Sequence, residues 1–125
     1  MEAHDAADLA RGMQGLNARI ARRVNRALGA RGSVWRERYH ARELRTPRSV
    51  RNAIVYVLMN AKKHGQRFAS GIDALSSAPW FDGFARRVAA SEDASPLRAP
   101  RTWLAGIGWR RRGLIDASER PRAPE

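Results

Sequence analysis

The chain has 125 residues, enough for one small domain with one core but not comfortably for two. It contains no cysteine, which excludes disulfides and thiolate metal sites, and no apolar run near the ~20 residues that a membrane span needs. A formal charge of +12, from 24 Lys and Arg against 12 Asp and Glu, makes a polyanion the first partner to consider.

Of the basic residues only Lys62 and Lys63 are lysine. The others are arginines, whose planar fork matches a phosphate better than an ammonium does. Nucleic acid therefore stands ahead of acidic lipid and acidic protein as a partner. The opening Met1-Glu2-Ala3-His4-Asp5 is acidic where a secretory leader is basic and then apolar. The expectation is a soluble, cytoplasmic protein with no membrane partner.

The first predicted element is an amphipathic helix over 6–28. Leu9, Met13, Leu16, Ile20, Val24 and Leu28 recur at steps of three or four and so share one face. Arg11, Arg19, Arg22, Arg23 and Arg26 occupy much of the rest. Asp5 or Asp8 caps the start, and Gly29 suits a left-handed stop. The arginines read either as a phosphate-facing surface or as an ordinary solvated face.

The second block, Gly32 to Thr46, mixes aromatic and branched residues with partial alternation and predicts a turn leading into a strand at about 38–45. Trp35 and Tyr39, set among arginines, are candidates for base stacking or for a core.

The third block predicts a helix over 47–64. Thr46 is suited to the cap, Pro47 to the first helical position, and Gly65 to the end. Val50, Ala53, Ile54, Val57, Leu58 and Ala61 form the expected apolar stripe, whereas Asn52, Tyr56, Asn60 and Lys63 fall on another face. Tyr56 and Asn60, one turn apart, are placed to address one ion or one phosphate.

From residue 66 onward the pattern is a looser extension. It carries three aromatics in Trp80-Phe81-Asp82-Gly83-Phe84, a polar linker from Ser91 to Pro100, and a short helical segment beginning near Trp103. The tail from Arg120 to Glu125 is expected to be disordered.

Several of these runs together resemble the REP-associated tyrosine transposases, a branch of the single-tyrosine transposases with a His-hydrophobic-His motif. The resemblance lies in 34–42 (Val-Trp-Arg-Glu-Arg-Tyr-His-Ala-Arg), 45–53 (Arg-Thr-Pro-Arg-Ser-Val-Arg-Asn-Ala), Tyr56-Val57-Leu58-Met59-Asn60 and Lys63-His64-Gly65. Gly12 to Leu16, Ser76 to Gly83, Thr102-Trp103-Leu104 and Gly108-Trp109-Arg110 are similar as well. The order of the motifs covers nearly the whole chain and is more specific than any one of them.

The resemblance implies an α+β fold, an incomplete ferredoxin-like domain of antiparallel sheet plus helices that is mostly helical in this fragment. Residues 1–65 would be the C-terminal half of the catalytic domain and 66–125 a partly disordered extension. It further implies metal-dependent cleavage and joining of single-stranded DNA at palindromic hairpins through a 5′-phosphotyrosine. The matching nucleophile is Tyr56, and Asn60 matches an amide that helps hold Mg or Mn. A free phenol titrates near pH ~10 and is a poor nucleophile at neutrality, so a metal that polarises the phosphate would supply much of the activation. Charge and proximity to this helix make Arg38, Arg42, Arg48, Arg51, Lys62 and Lys63 the candidate DNA contacts.

One departure bears on activity. The histidines are His4, His40 and His64, and none forms the His-hydrophobic-His pair. His4 lies past the expected position, and His40 and His64 read as structural. The family carries Val-Glu-Ala after its histidine strand where this chain opens Met1-Glu2-Ala3, so the expectation is a start placed too far downstream, or else gene decay. On this reading the fragment is helical, loosely packed and inactive alone, lacking ligands to hold the metal. The competing readings are a noncatalytic basic DNA-binding fragment and an RNA-binding protein.

Overall fold

A computed structural model describes residues 2–37 and 39–121. Met1, Arg38 and the tail residues 122–125 lie outside the described residues, and with them part of the expected strand and most of the expected disordered tail. The chain divides into two compact units, Met1–Glu43 and Leu44–Glu125.

In the first unit α1 runs Ala6–Leu28, the span its spacing predicts. The Asp5 carboxylate caps it by accepting from the Asp8 backbone N–H at 2.7 Å, and Asp8 pairs in turn with Arg11. Gly29 stops the helix at φ 61°, ψ 21°, a left-handed conformation that a Cβ disfavours. The chain then curls back along the helix. The Trp35 indole N–H donates to the Asn17 carbonyl at 3.0 Å, and the Asn25 amide donates to the Gly32 carbonyl at 2.9 Å. No residue of α1 is buried, so its apolar stripe is shaped for a core that this unit does not itself complete.

The strand expected at about 38–45 does not form, and the α+β ferredoxin-like fold is overturned with it. Among the described residues there is no strand, and the only ladder contact is an isolated parallel bridge between Phe84 and Ile115. A strand is stabilised by its ladder partners. Residues 39–45 take no strand or bridge and lie exposed.

The second unit is helical and irregular, built around α2 (Pro47–Leu58), α3 (Asn60–Lys63) and α4 (Trp103–Gly106), with 3-10 turns at Ala78–Trp80 and Gly108–Arg112. Thr46 and Ser49 cap α2 reciprocally: the Thr46 hydroxyl accepts from the Ser49 N–H, and the Ser49 hydroxyl accepts from the Thr46 N–H, each at 3.1 Å. The single helix expected over 47–64 is interrupted at Met59, which takes φ −108°, ψ 14° and sinks into the core.

That core consists of Val50, Val55, Leu58, Met59, Ile72, Ala78, Trp109 and Ile115, with Ile54, Phe81, Phe84 and Leu104 packed against it. The helix Tyr56 occupies and the segment after residue 65 therefore share one core. The buried face of α2 is also rotated from the expected stripe. Val55 is buried while Val57 is 60 % exposed, because the extension packs along the Arg51–Val55 side rather than over Ala53 and Val57.

Trp109 is the largest side chain in this core, 1 % exposed. It stacks on Phe81 with centroids 5.6 Å apart, and Phe81 meets Phe84 edge-on at 5.3 Å. Gly83 lets the rings close. A Cβ there would lie 2.3 Å from Trp109 Cη2 and 2.5 Å from Phe81 Cζ. Gly83→Ala is expected to destabilise the second unit by about 1–3 kcal/mol through overpacking, read as a lower urea midpoint.

Candidate nucleic-acid interface

Tyr56 sits on the side of α2 that points away from the core and is 42 % exposed. Among the described residues its hydroxyl has no hydrogen-bond partner, and the Lys63 ammonium lies 4.9 Å from the ring centroid. A cation over the ring face is held by the ring quadrupole and puts positive charge beside the phenol. Asn52 and Asn60 are exposed, as their spacing from Tyr56 predicts. Asn60, however, follows the Met59 break, so it opens α3 instead of standing one regular turn after Tyr56.

The six basic candidates divide sharply. Arg38 lies outside the described residues. Arg42 is exposed and belongs to the first unit, whereas Tyr56 belongs to the second. Arg48 is exposed at the start of α2, and Lys63 is exposed with its ammonium over Tyr56. Lys62 is half-buried and donates to the Ala117 carbonyl. Its pKa is lowered, first by burial and then by repulsion from Arg120, with Asp116 acting in the opposite sense.

Arg51 is committed inside the unit. Its guanidinium makes a bidentate pair with Glu119 at 2.7 and 2.9 Å and donates to the carbonyls of Gly113 and Leu114 at 2.8 and 2.9 Å. Every one of those acceptors comes from the C-terminal extension. The fork that suits a phosphate suits a carboxylate equally well. Arg51 therefore fastens the extension to α2. The Glu119 carboxyl is held below its ordinary value, chiefly by the hydrogen bonds from Arg51.

The same packing brings together residues that sequence spacing does not. Arg112 and Arg120 converge on Arg48 and Asn52 around a hollow of about 260 Å³, with the Arg51–Glu119 pair in its wall. No sequence signal singles out Arg112 or Arg120 from the other arginines of the extension. The contact between α2 and the Gly108–Arg112 turn brings Arg112 there, and the Arg51–Glu119 pair brings the neighbouring Arg120.

The donors present do not fit a divalent metal. Mg or Mn asks for several hard oxygen ligands, including carboxylates. Asn60 supplies one neutral amide, two and three residues from Lys62 and Lys63, and among the described residues no three of His, Cys, Asp or Glu group together. His64 closes α3 through its backbone, and His40 belongs to the first unit.

Among the described residues no helix is long and apolar enough to cross a membrane. No protein-family model, curated protein or solved structure matches the chain.

Proposed function

We propose that this chain engages single-stranded or hairpin DNA across the exposed face of α2, as a protein related to the REP-associated tyrosine transposases, and that alone it binds without cutting. The observation that carries the reading is the exposed Tyr56 phenol with the Lys63 ammonium above its ring, on a helix whose opposite side is core. A tyrosine kept for packing would turn its ring inward, as Trp109 does. A phosphate arriving at Tyr56 meets charge of the right sign in a chain of net charge +12.

In the reaction that the resemblance implies, the phenol oxygen bonds to phosphorus while the bond from phosphorus to the 3′ oxygen breaks. The phenol loses its proton and the departing oxygen gains one, leaving a 5′-phosphotyrosine and a 3′ hydroxyl. Mg or Mn would stabilise the charge on the phosphate. The donors described above do not complete a site for it, so binding rather than turnover is assigned to this chain by itself.

The test is incubation of the whole chain with a fluorescent DNA hairpin, with and without Mg, followed by a binding titration at several salt concentrations and a denaturing gel. The expected result is affinity that falls steeply with salt and no covalent band. A covalent band lost in Tyr56→Phe overturns the non-cutting half of the reading. Absence of binding at low salt overturns the DNA half, and tighter binding to a matched RNA hairpin transfers it to RNA. Tyr56→Phe should stay within about 0.5 kcal/mol of the parent stability, since it removes only an exposed hydroxyl.

A further inference from the structure

We infer that the hollow between α2 and the C-terminal extension is a phosphate-binding site, in which Arg112 and Arg120 clasp one phosphate of the strand that also passes Tyr56. The inference rests on the DNA reading above and adds a site to it.

The first argument is charge. Four arginines and one glutamate line the hollow, and Arg51 already neutralises that glutamate. Among the described residues neither Arg112 nor Arg120 has an ion pair, although both lie in the same small region. Repulsion from Arg120 reaches as far as the Lys62 ammonium. Bringing like charges together costs free energy, and an anion placed among them recovers it. The second argument is chemistry. Guanidinium forks and the Asn52 amide supply N–H donors, which suit the acceptor oxygens of a phosphate.

At about 260 Å³ the hollow has room for one phosphate group. Position favours a strand as its source. Asn52, in the wall, is one helical turn from Tyr56, a rise of about 6 Å, so a strand seated in the hollow runs past the phenol.

The experiment compares the whole chain with an Arg112→Gln/Arg120→Gln variant and a charge-matched control, Arg67→Gln/Arg87→Gln, whose arginines are exposed elsewhere in the unit. All four arginines are exposed, so neither variant should lose its fold, and circular dichroism verifies this. The hollow variant is expected to bind the hairpin at least about tenfold more weakly, as loss of charge-assisted hydrogen bonds predicts. Its salt slope is expected to fall by about 0.7–1, the loss of one phosphate contact. The control should change less in both.

Inorganic pyrophosphate, followed through arginine Nε–Hε resonances, should shift Arg112 and Arg120 but not Arg87. A hollow variant that binds the hairpin like the control, or no pyrophosphate shift, overturns the site while DNA binding stands. A pyrophosphate shift without hairpin binding overturns the strand as occupant and the proposed function with it. Stronger binding to phosphatidylglycerol vesicles than to the hairpin, lost in the hollow variant, moves the phosphate source to a lipid headgroup and overturns the inference.

Discussion

Trp109→Ala should cost the second unit about 3–5 kcal/mol, the range for deleting a large aromatic from a packed core. The side chain is 1 % exposed, stacks on Phe81, and donates its indole N–H to the Ala105 carbonyl at 3.0 Å. Those contacts tie the Gly108–Arg112 turn to the aromatic segment around Phe81. A unit of roughly 80 residues has on the order of 4–12 kcal/mol of stability in total, so the substitution removes a large share and can unfold the unit at 37 °C. Urea denaturation followed by Phe and Trp fluorescence measures it. Trp103→Ala is the comparison, because Trp103 is 49 % exposed and should cost far less. Equal losses at the two positions would mean that the core is not centred on Trp109.

Arg51→Ala is expected to cost about 2–3 kcal/mol. Removing one partner of a buried ion pair costs about 3–5 kcal/mol, and the figure is reduced here because the Arg51 and Glu119 side chains remain 17 % and 30 % exposed. The carbonyls of Gly113 and Leu114 lose the Arg51 donor, and among the described residues the Glu119 carboxylate keeps only the Asp116 backbone N–H at 2.9 Å. Glu119→Gln, which keeps the shape and one acceptor, should cost about 1 kcal/mol.

The same pair sets a pH dependence. Glu119 is depressed below its ordinary value of 4.5 in the folded unit, so between the two values the unfolded chain binds more protons. Its contribution is complete above about pH 4.5 and is lost as pH falls through the depressed folded value. Asp116, depressed by hydrogen bonds from Ser118, acts in the same direction. Urea midpoints measured from pH 7 to pH 3 should fall in this window, and less steeply in Glu119→Gln. A parallel pair of curves would remove Glu119 as a cause.

Local chemistry determined both ends of α1, the start of α2 and the direction its tyrosine faces, but not the break at Met59. Asp5 and Gly29 bound α1, and Thr46 with Pro47 starts α2, because caps act on backbone groups three or four residues away. The helical period alone puts Asn52, Tyr56, Asn60 and Lys63 on a side apart from the apolar residues, and all four are exposed.

Tertiary packing decided the rest. It left residues 39–45 out of any strand, and it buried Val55 in place of Val57 by laying the extension against that side of α2. It drew Arg51 inward, where a carboxylate and two carbonyls from more than 60 residues away accept its hydrogens. It also carried Arg112 and Arg120 to Arg48 and Asn52. Periodicity describes which residues share a face, but not what comes to cover that face. An arginine reads alike in sequence whether its hydrogens reach a carbonyl, a carboxylate or a phosphate.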